Sequence, residues 1–242
     1  MPLSKLQFKP GINREGTNYS NEGGWFNGDK IRYRNGYVER IGGWTRVSNT
    51  QITGTPRKIF DFVTLSSQNL LFIGTEQKVF LENAGTFNDI TPIRSTVSLG
   101  TNPVNTTGGA GSGVVTITTQ AAHGAVAGDF VTLASLTTTD GITAAQLNIE
   151  HKITSVPSTT TFTITTAGSA TSGSTAGGGS SGTAAFQLNI GLNTTVLGSG
   201  WGAGTWGRFT WGSAAGSLSG QTLRLWSADN FGEDLIFNIA DS

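Results

Sequence analysis

The residues of this chain whose chemistry could support catalysis or ligand binding are few, and each stands without the partners that chemistry requires. His123 and His151 are its two histidines, and with no cysteine in the chain and no carboxylate pair beside them neither has the spacing of a metal site. Each reads as structural or solvent-exposed. Gly178-Gly179-Ser180-Ser181-Gly182 fits the G-x-S-x-G pattern of a nucleophilic serine. That pattern works on a sharp strand-to-helix turn with a histidine later in the chain, whereas both histidines come earlier and the surrounding tract is rich in Gly and Ser. It reads as a coincidence of low complexity.

Gly109-Ala110-Gly111-Ser112-Gly113 has the composition of a phosphate-cradling loop, but it leads into a strand pattern and not into a helix whose N-terminus could hold an anion. It reads as a turn. Asp229, Glu233 and Asp234 could offer oxygens to Ca²⁺, yet they lack the alternating acids and turn glycine of an EF-hand loop, so turn capping is the expectation. No residue is assigned to catalysis, to a cofactor or to a metal, and the absence of cysteine removes disulfides and thiol chemistry together. The expectation is a protein that is not an enzyme. Sequons at Asn18, Asn105 and Asn193 matter only on a secretory route.

The side chains that remain are aromatic. Trp201, Trp206 and Trp211 recur every five residues, separated by glycines, and could stack on sugar rings; their commoner use is to fill a core or a subunit interface. With Trp25, Trp44 and Trp226 they are the six candidate interface or core aromatics.

The elements that must position these residues are strands. Of 242 residues 35 are glycine and one is methionine, with Thr, Ser and Asn abundant, a composition that favours strands and tight turns over helices. Lys30-Ile31-Arg32-Tyr33-Arg34 alternates with a period of two, so Ile31 and Tyr33 should face inward. Asn35-Gly36 predicts a two-residue hairpin turn, because both positions tolerate positive φ, and Tyr37 to Ile41 is the return strand. Further strands are expected at 58–63, 69–74 and 78–82, then at 113–118, 130–133, 152–156, 161–165 and 184–187, and last at 221–226. Ala167 to Gly182 has no large apolar side chain and reads as a flexible loop.

Charge and composition divide the chain. Residues 1–100 carry twelve Lys and Arg against eight acids, net +4, and residues 101–242 three against seven, net −4, for a total of zero. No polyelectrolyte signal for nucleic acid or an anionic membrane results. Between Ser95 and Gln187 only Asp129, Asp140, Glu150 and Lys152 are charged. The expected organisation is an N-terminal arm with the first scaffold strands (1–97), an inserted small β-barrel or sandwich (98–187), and a return to the scaffold (188–242). The start of the sequence lacks the apolar core of a secretory signal, and no apolar run approaches the roughly 20 residues of a membrane span.

Several stretches carry a family likeness. Phe8 to Asn13, Gly24 to Gly36, Ile41-Gly42-Gly43-Trp44 and Trp226 to Leu235 resemble the nozzle, or tail-hub, proteins of short-tailed bacteriophages, and Ala122-His123-Gly124 with Gly128 to Val131 resembles a β insertion of the same phage proteins. The resemblance implies an all-β fold with a partial β-propeller scaffold and a virion-tail location after assembly in the host cytoplasm. It implies a sixfold homo-oligomeric ring below portal and adaptor, contacts with adaptor and tail fibre proteins, and transient contact with phage DNA in the distal channel. Members of that family run far longer, and the stretch like Asp229 to Leu235 lies early in their propeller. One or two blades' worth of strands are therefore expected, with edges covered by further chain or neighbouring subunits. The rival expectation is a virion adhesin that binds host glycan through Trp201, Trp206 and Trp211 or through the insertion; a depolymerase would need a carboxylate pair in a cleft, and none stands out.

Overall fold

The computed structural model describes residues 8–17, 19–43, 45–46, 48–173, 175–195 and 223–240. It is nearly all β, with 45% strand and 2% helix, and its sheets are antiparallel with none closed on itself. Two compact units divide at Asn49.

In the first unit, β1 (Ile31–Arg34) and β2 (Tyr37–Arg40) form a hairpin with Ile31 opposite Arg40 and Arg34 opposite Tyr37. Asn35 and Gly36 sit at φ 51° and 82°, the left-handed pair that a type I′ turn needs, and that turn matches the twist of the strands it joins. Ile31 and Tyr33 are half-buried while Arg32 and Arg34 are exposed, as the alternation predicts. Upstream, Ile12 bridges Trp25 in parallel, and Asn13 N–H donates to the Trp25 carbonyl at 2.9 Å.

The second unit begins with β3 (Pro56–Val63), β4 (Asn69–Thr75), β5 (Val79–Asn83) and β6 (Thr86–Asp89), a four-stranded meander in chain order. Its register puts Phe60, Phe72, Leu81 and Asn88 in one row across the sheet. Ala84 and Gly85, at φ 50° and 88°, turn β5 tightly into β6.

The chain then enters an eight-stranded sheet. Its members are β7 (Ile93–Gly100), β8 (Val104–Asn105), β9 (Val114–Thr118), β10 (Phe130–Ala134), β11 (Glu150–Ser158), β12 (Thr161–Thr165), β13 (Ala176–Gly177) and β14 (Gly182–Gln187). The spatial order is β13-β8-β9-β12-β11-β10-β14-β7. One short helix, α1 (Ala144–Leu147), interrupts the strands, and Thr143 N–H donates to Gln146 Oε1 at its start. β11 shifts register twice against β12, and such bulges bend a strand and raise its twist. The sheet curls until Gln120 N–H, after β9, donates to Ser98 O of β7 at 2.9 Å. Inside the curl Val104, Val115, Ile117, Val131, Leu133, Ile153, Phe162, Ile164, Ala184 and Phe186 are at most 1% exposed. Each large apolar side chain buried there contributes about 1.5–3 kcal/mol.

The tract expected to be a flexible loop, Ala167 to Gly182, is instead tied into this sheet. Its β13 pairs with β8, Ala170 is buried and exchanges backbone hydrogen bonds with Gly111 and Ser112, and the Gly178 and Gly179 carbonyls accept from Thr137 and Asn102. Backbone groups and the carboxylate of Asp140 replace the missing apolar anchors.

The last described elements are β15 (Trp226–Phe231) and β16 (Asp234–Ile239), a hairpin that packs on β3. Trp226, Ala228, Leu235, Phe237 and Ile239 close over Phe60, Phe72 and Val79, forming a second core distinct from that of the eight-stranded sheet. The strand expected at 221–226 is therefore displaced: Gln221 and Thr222 lie outside the described residues, and β15 begins at Trp226, the residue at which the pattern ends that strand.

Candidate functional site

Trp226 is 7% exposed, and its Nε1–H donates to the Thr75 carbonyl at 2.8 Å. Its ring lies 6.0 Å from that of Phe237. Gly74 makes this seat possible, since a Cβ there would stand 2.5 Å from the Trp226 Cδ1. Trp25 is half-buried and tilted against Phe8, with centroids 5.6 Å apart. Trp44, Trp201, Trp206 and Trp211 lie outside the described residues.

Neither glycine-rich motif stands in a catalytic setting. Gly178 and Gly179 have φ of 103° and 81° between two short strands, without the helix that a nucleophile elbow requires. Gly109 and Gly111, also at positive φ, form turns that lead into β9. Among the described residues no group of three metal-ligating side chains comes together. Asp229 accepts from the adjacent Asn230 amide at 2.8 Å, and Glu233 Oε1 accepts at 2.7 Å from the Leu65 amide in the turn between β3 and β4.

Both histidines are buried. His151 is 6% exposed with Nε2 at 3.0 Å from the Leu147 carbonyl. His123 is 2% exposed, stacked on Phe186 at 5.2 Å and edge-on to Phe162 at 5.5 Å. Burial pushes both imidazoles below their ordinary pKa.

The densest polar chemistry lies where the eight-stranded sheet meets the meander. Lys78 precedes β5 with its side chain 6% exposed, and Nζ contacts Asp89 Oδ2 at 2.6 Å and Glu150 Oε1. The ammonium also lies 4.4 Å from the Phe130 ring centroid, a cation–π distance. Glu150 Oε2 accepts from Gln187 Nε2 at 2.7 Å, and Asp89 Oδ1 accepts from the Thr91 hydroxyl at 2.6 Å. Burial would raise the Asp89 pKa; the hydrogen bonds from Lys78 and Thr91 outweigh it and hold the carboxyl below its ordinary range.

A third carboxylate fixes the segment that leaves the sheet after β14. Asp129, 1% exposed, accepts from Val126 N–H at 2.8 Å, Asn189 Nδ2 at 2.7 Å and Ile190 N–H at 2.8 Å. Gly191 N–H then donates to Glu76 O at 2.7 Å, and Arg224 Nη1 to Asn189 O at 3.0 Å. One ammonium is paired with two carboxylates, and a buried carboxylate accepts from three donors. Their chemistry is that of a clamp. Sequence reasoning missed it because Lys78 and Glu150, or Asp129 and Asn189, are far apart in the chain; the only signal was the rarity of charge between Ser95 and Gln187.

Outside these centres the described surface keeps apolar groups in solvent: Ile59, Leu65, Phe231 and Ile236 are 59%, 88%, 78% and 57% exposed. No helix among the described residues is long and apolar enough to cross a membrane. No model of a known protein family matches the chain, and no curated protein matches it.

Proposed function

We propose that this chain is a structural component of a bacteriophage tail, part of a nozzle or hub ring that forms the distal channel for genome retention and delivery, and not an enzyme. The observation that carries the reading is the β3–β6 meander with the β15–β16 hairpin packed on its face through Phe72, Val79 and Trp226. A four-stranded antiparallel meander is the unit of a propeller blade, and a hairpin stacked face to face on it is the start of a second. The eight-stranded module is then spliced in between blade strands. Further support comes from the sequence resemblance at Gly24 to Gly36 and Trp226 to Leu235. The exposed Ile59, Phe231 and Ile236 add to it, because blade faces and edges of this kind are covered by neighbouring blades or subunits.

In this reading the action is mechanical: the ring holds the packaged genome, meets the adaptor above, and opens on host recognition. A net charge of zero suits a channel through which DNA slides without adhering.

The test is electron microscopy of virions with an antibody to this chain, together with images of the purified protein. Label on the tail axis and ring-shaped particles are expected. Label on peripheral fibres overturns the reading, and glycan-array binding abolished by Trp206→Ala would put an adhesin in its place.

A further inference from the structure

We infer that His123 is an acid-released latch holding the return segment of the eight-stranded module against the loop that precedes β10. The inference rests on hydrogen-bond direction. Ala125 N–H donates to His123 Nδ1 at 3.0 Å, so Nδ1 carries a lone pair and the proton of the neutral ring is on Nε2. Nε2 is itself buried without a hydrogen-bond partner. A second proton can enter only at Nδ1, where it would face the Ala125 N–H donor directly. Protonation therefore removes a hydrogen bond and sets two donors against each other in a buried site, a cost that cation–π attraction from the stacked Phe186 ring offsets only in part.

The elements packed on the imidazole offer that cation little. β12 and β14 contribute the two phenyl rings and no charged side chain. β7 contributes Arg94, whose Nη2 donates to the His123 carbonyl at 2.9 Å and whose charge opposes a second one nearby. Asp129 and the backbone at Thr161 and Ser158 favour the protonated form, and burial outweighs them.

The loop's other contacts identify the segment that the latch holds. Asn189 Nδ2 donates to Gly124 O at 3.2 Å as well as to Asp129, and Ile190 N–H donates to Asp129 Oδ1. The loop 121–129 thus binds the segment 189–190 at Gly124 and at Asp129. Loss of the His123–Ala125 bond frees the middle of that loop and loosens the segment through which the module returns to the meander.

With two histidines in the chain, uniform nitrogen-15 labelling of the full chain reads both the imidazole nitrogens and the backbone amides. At pH 7.5 the His123 ring is expected as the Nε2–H tautomer, titrating with a midpoint below 6.5. The amides of Ala125, Val126, Asp129 and Ile190 should shift with the same midpoint. His123→Asn puts an acceptor oxygen near the place of Nδ1 and removes the titration, so the pH-dependent amide shifts between pH 7 and 5 should vanish there. A Nδ1–H tautomer, a midpoint at or above 6.5, or shifts that persist unchanged in the variant would overturn the inference. If the variant does not fold, tautomer and midpoint in the native chain still decide.

Discussion

Trp226 joins two layers with one side chain, its ring closing the core over Phe72 and its Nε1–H reaching the Thr75 carbonyl. These roles separate by substitution. Trp226→Phe keeps much of the apolar area and gives up the hydrogen bond, an expected loss of about 1–2 kcal/mol. Trp226→Ala empties the site at about 3–5 kcal/mol. Urea unfolding of the two variants against the native chain measures both, and a Trp226→Phe chain as stable as the native one would show that the hydrogen bond contributes nothing separable. Asp140 allows a test of sign. Hydrogen bonds from the Ser172 and Thr106 hydroxyls and the Ser172 and Gly173 amides hold its carboxyl far below the ordinary 3.8. A depressed carboxyl contributes stability that is complete above its unfolded pKa and is lost as pH falls below it. Asp140→Asn should therefore unfold earlier than the native chain in urea at pH 7, and the gap should shrink on going to pH 3. A gap that stays constant across that range would show that ionisation is not what the loop uses.

At the scale of elements, the Lys78 clamp is the joint whose failure can be graded. Lys78→Met leaves Asp89 and Glu150 without their cation, and because both carboxylates are about one-third exposed and can hydrate, the cost should fall below that of a fully buried pair, at about 2 kcal/mol. A double-mutant cycle with Glu150→Gln should give a coupling of at least about 0.5 kcal/mol, the lower bound for residues in contact; a cycle that closes additively removes the clamp. The range of the forces decides which elements are legible in the sequence. Strand alternation and the Asn35-Gly36 turn are decided within a few residues, and β1–β2, β4, β9 and β12 appear where the pattern places them. The two-residue strands β8 and β13 carry no readable period, and they form because distant backbone groups meet. The mismatch at 221–226 has a similar origin. Alternation there puts Leu223 and Leu225 inside and Arg224 outside, but Arg224 is the buried residue and Leu225 is 44% exposed. A carbonyl at Asn189 and the indole of Trp226, 5.7 Å from the guanidinium carbon, accommodate the cation, and neither is visible in a local window.

Across the whole molecule burial is distributed unequally. The second unit contains both apolar clusters, whereas none of the described residues from 8 to 48 is buried. Local opening free energy tracks buried apolar contact, so the first unit is expected to open first. Arg32, Arg34 and Arg40 are all exposed there, and brief trypsin treatment of the isolated chain should cut at these residues before Arg94 in β7 or Lys152 in β11. The same unit presents Tyr19, Phe26 and Tyr37 at 94%, 63% and 77% exposure, more aromatic surface than a segment with so little core would keep in water without a partner. If the chain works in a tail ring, those rings and the adjacent arginines are covered on assembly. Cleavage at Arg32, Arg34 and Arg40 should then slow in assembled particles while the order of the remaining cuts is kept. First cuts at Arg94 or Lys152 in the isolated chain would mean that the stable part is not the one with the two cores, and equal rates in isolated and assembled protein would mean that the first unit faces solvent in both.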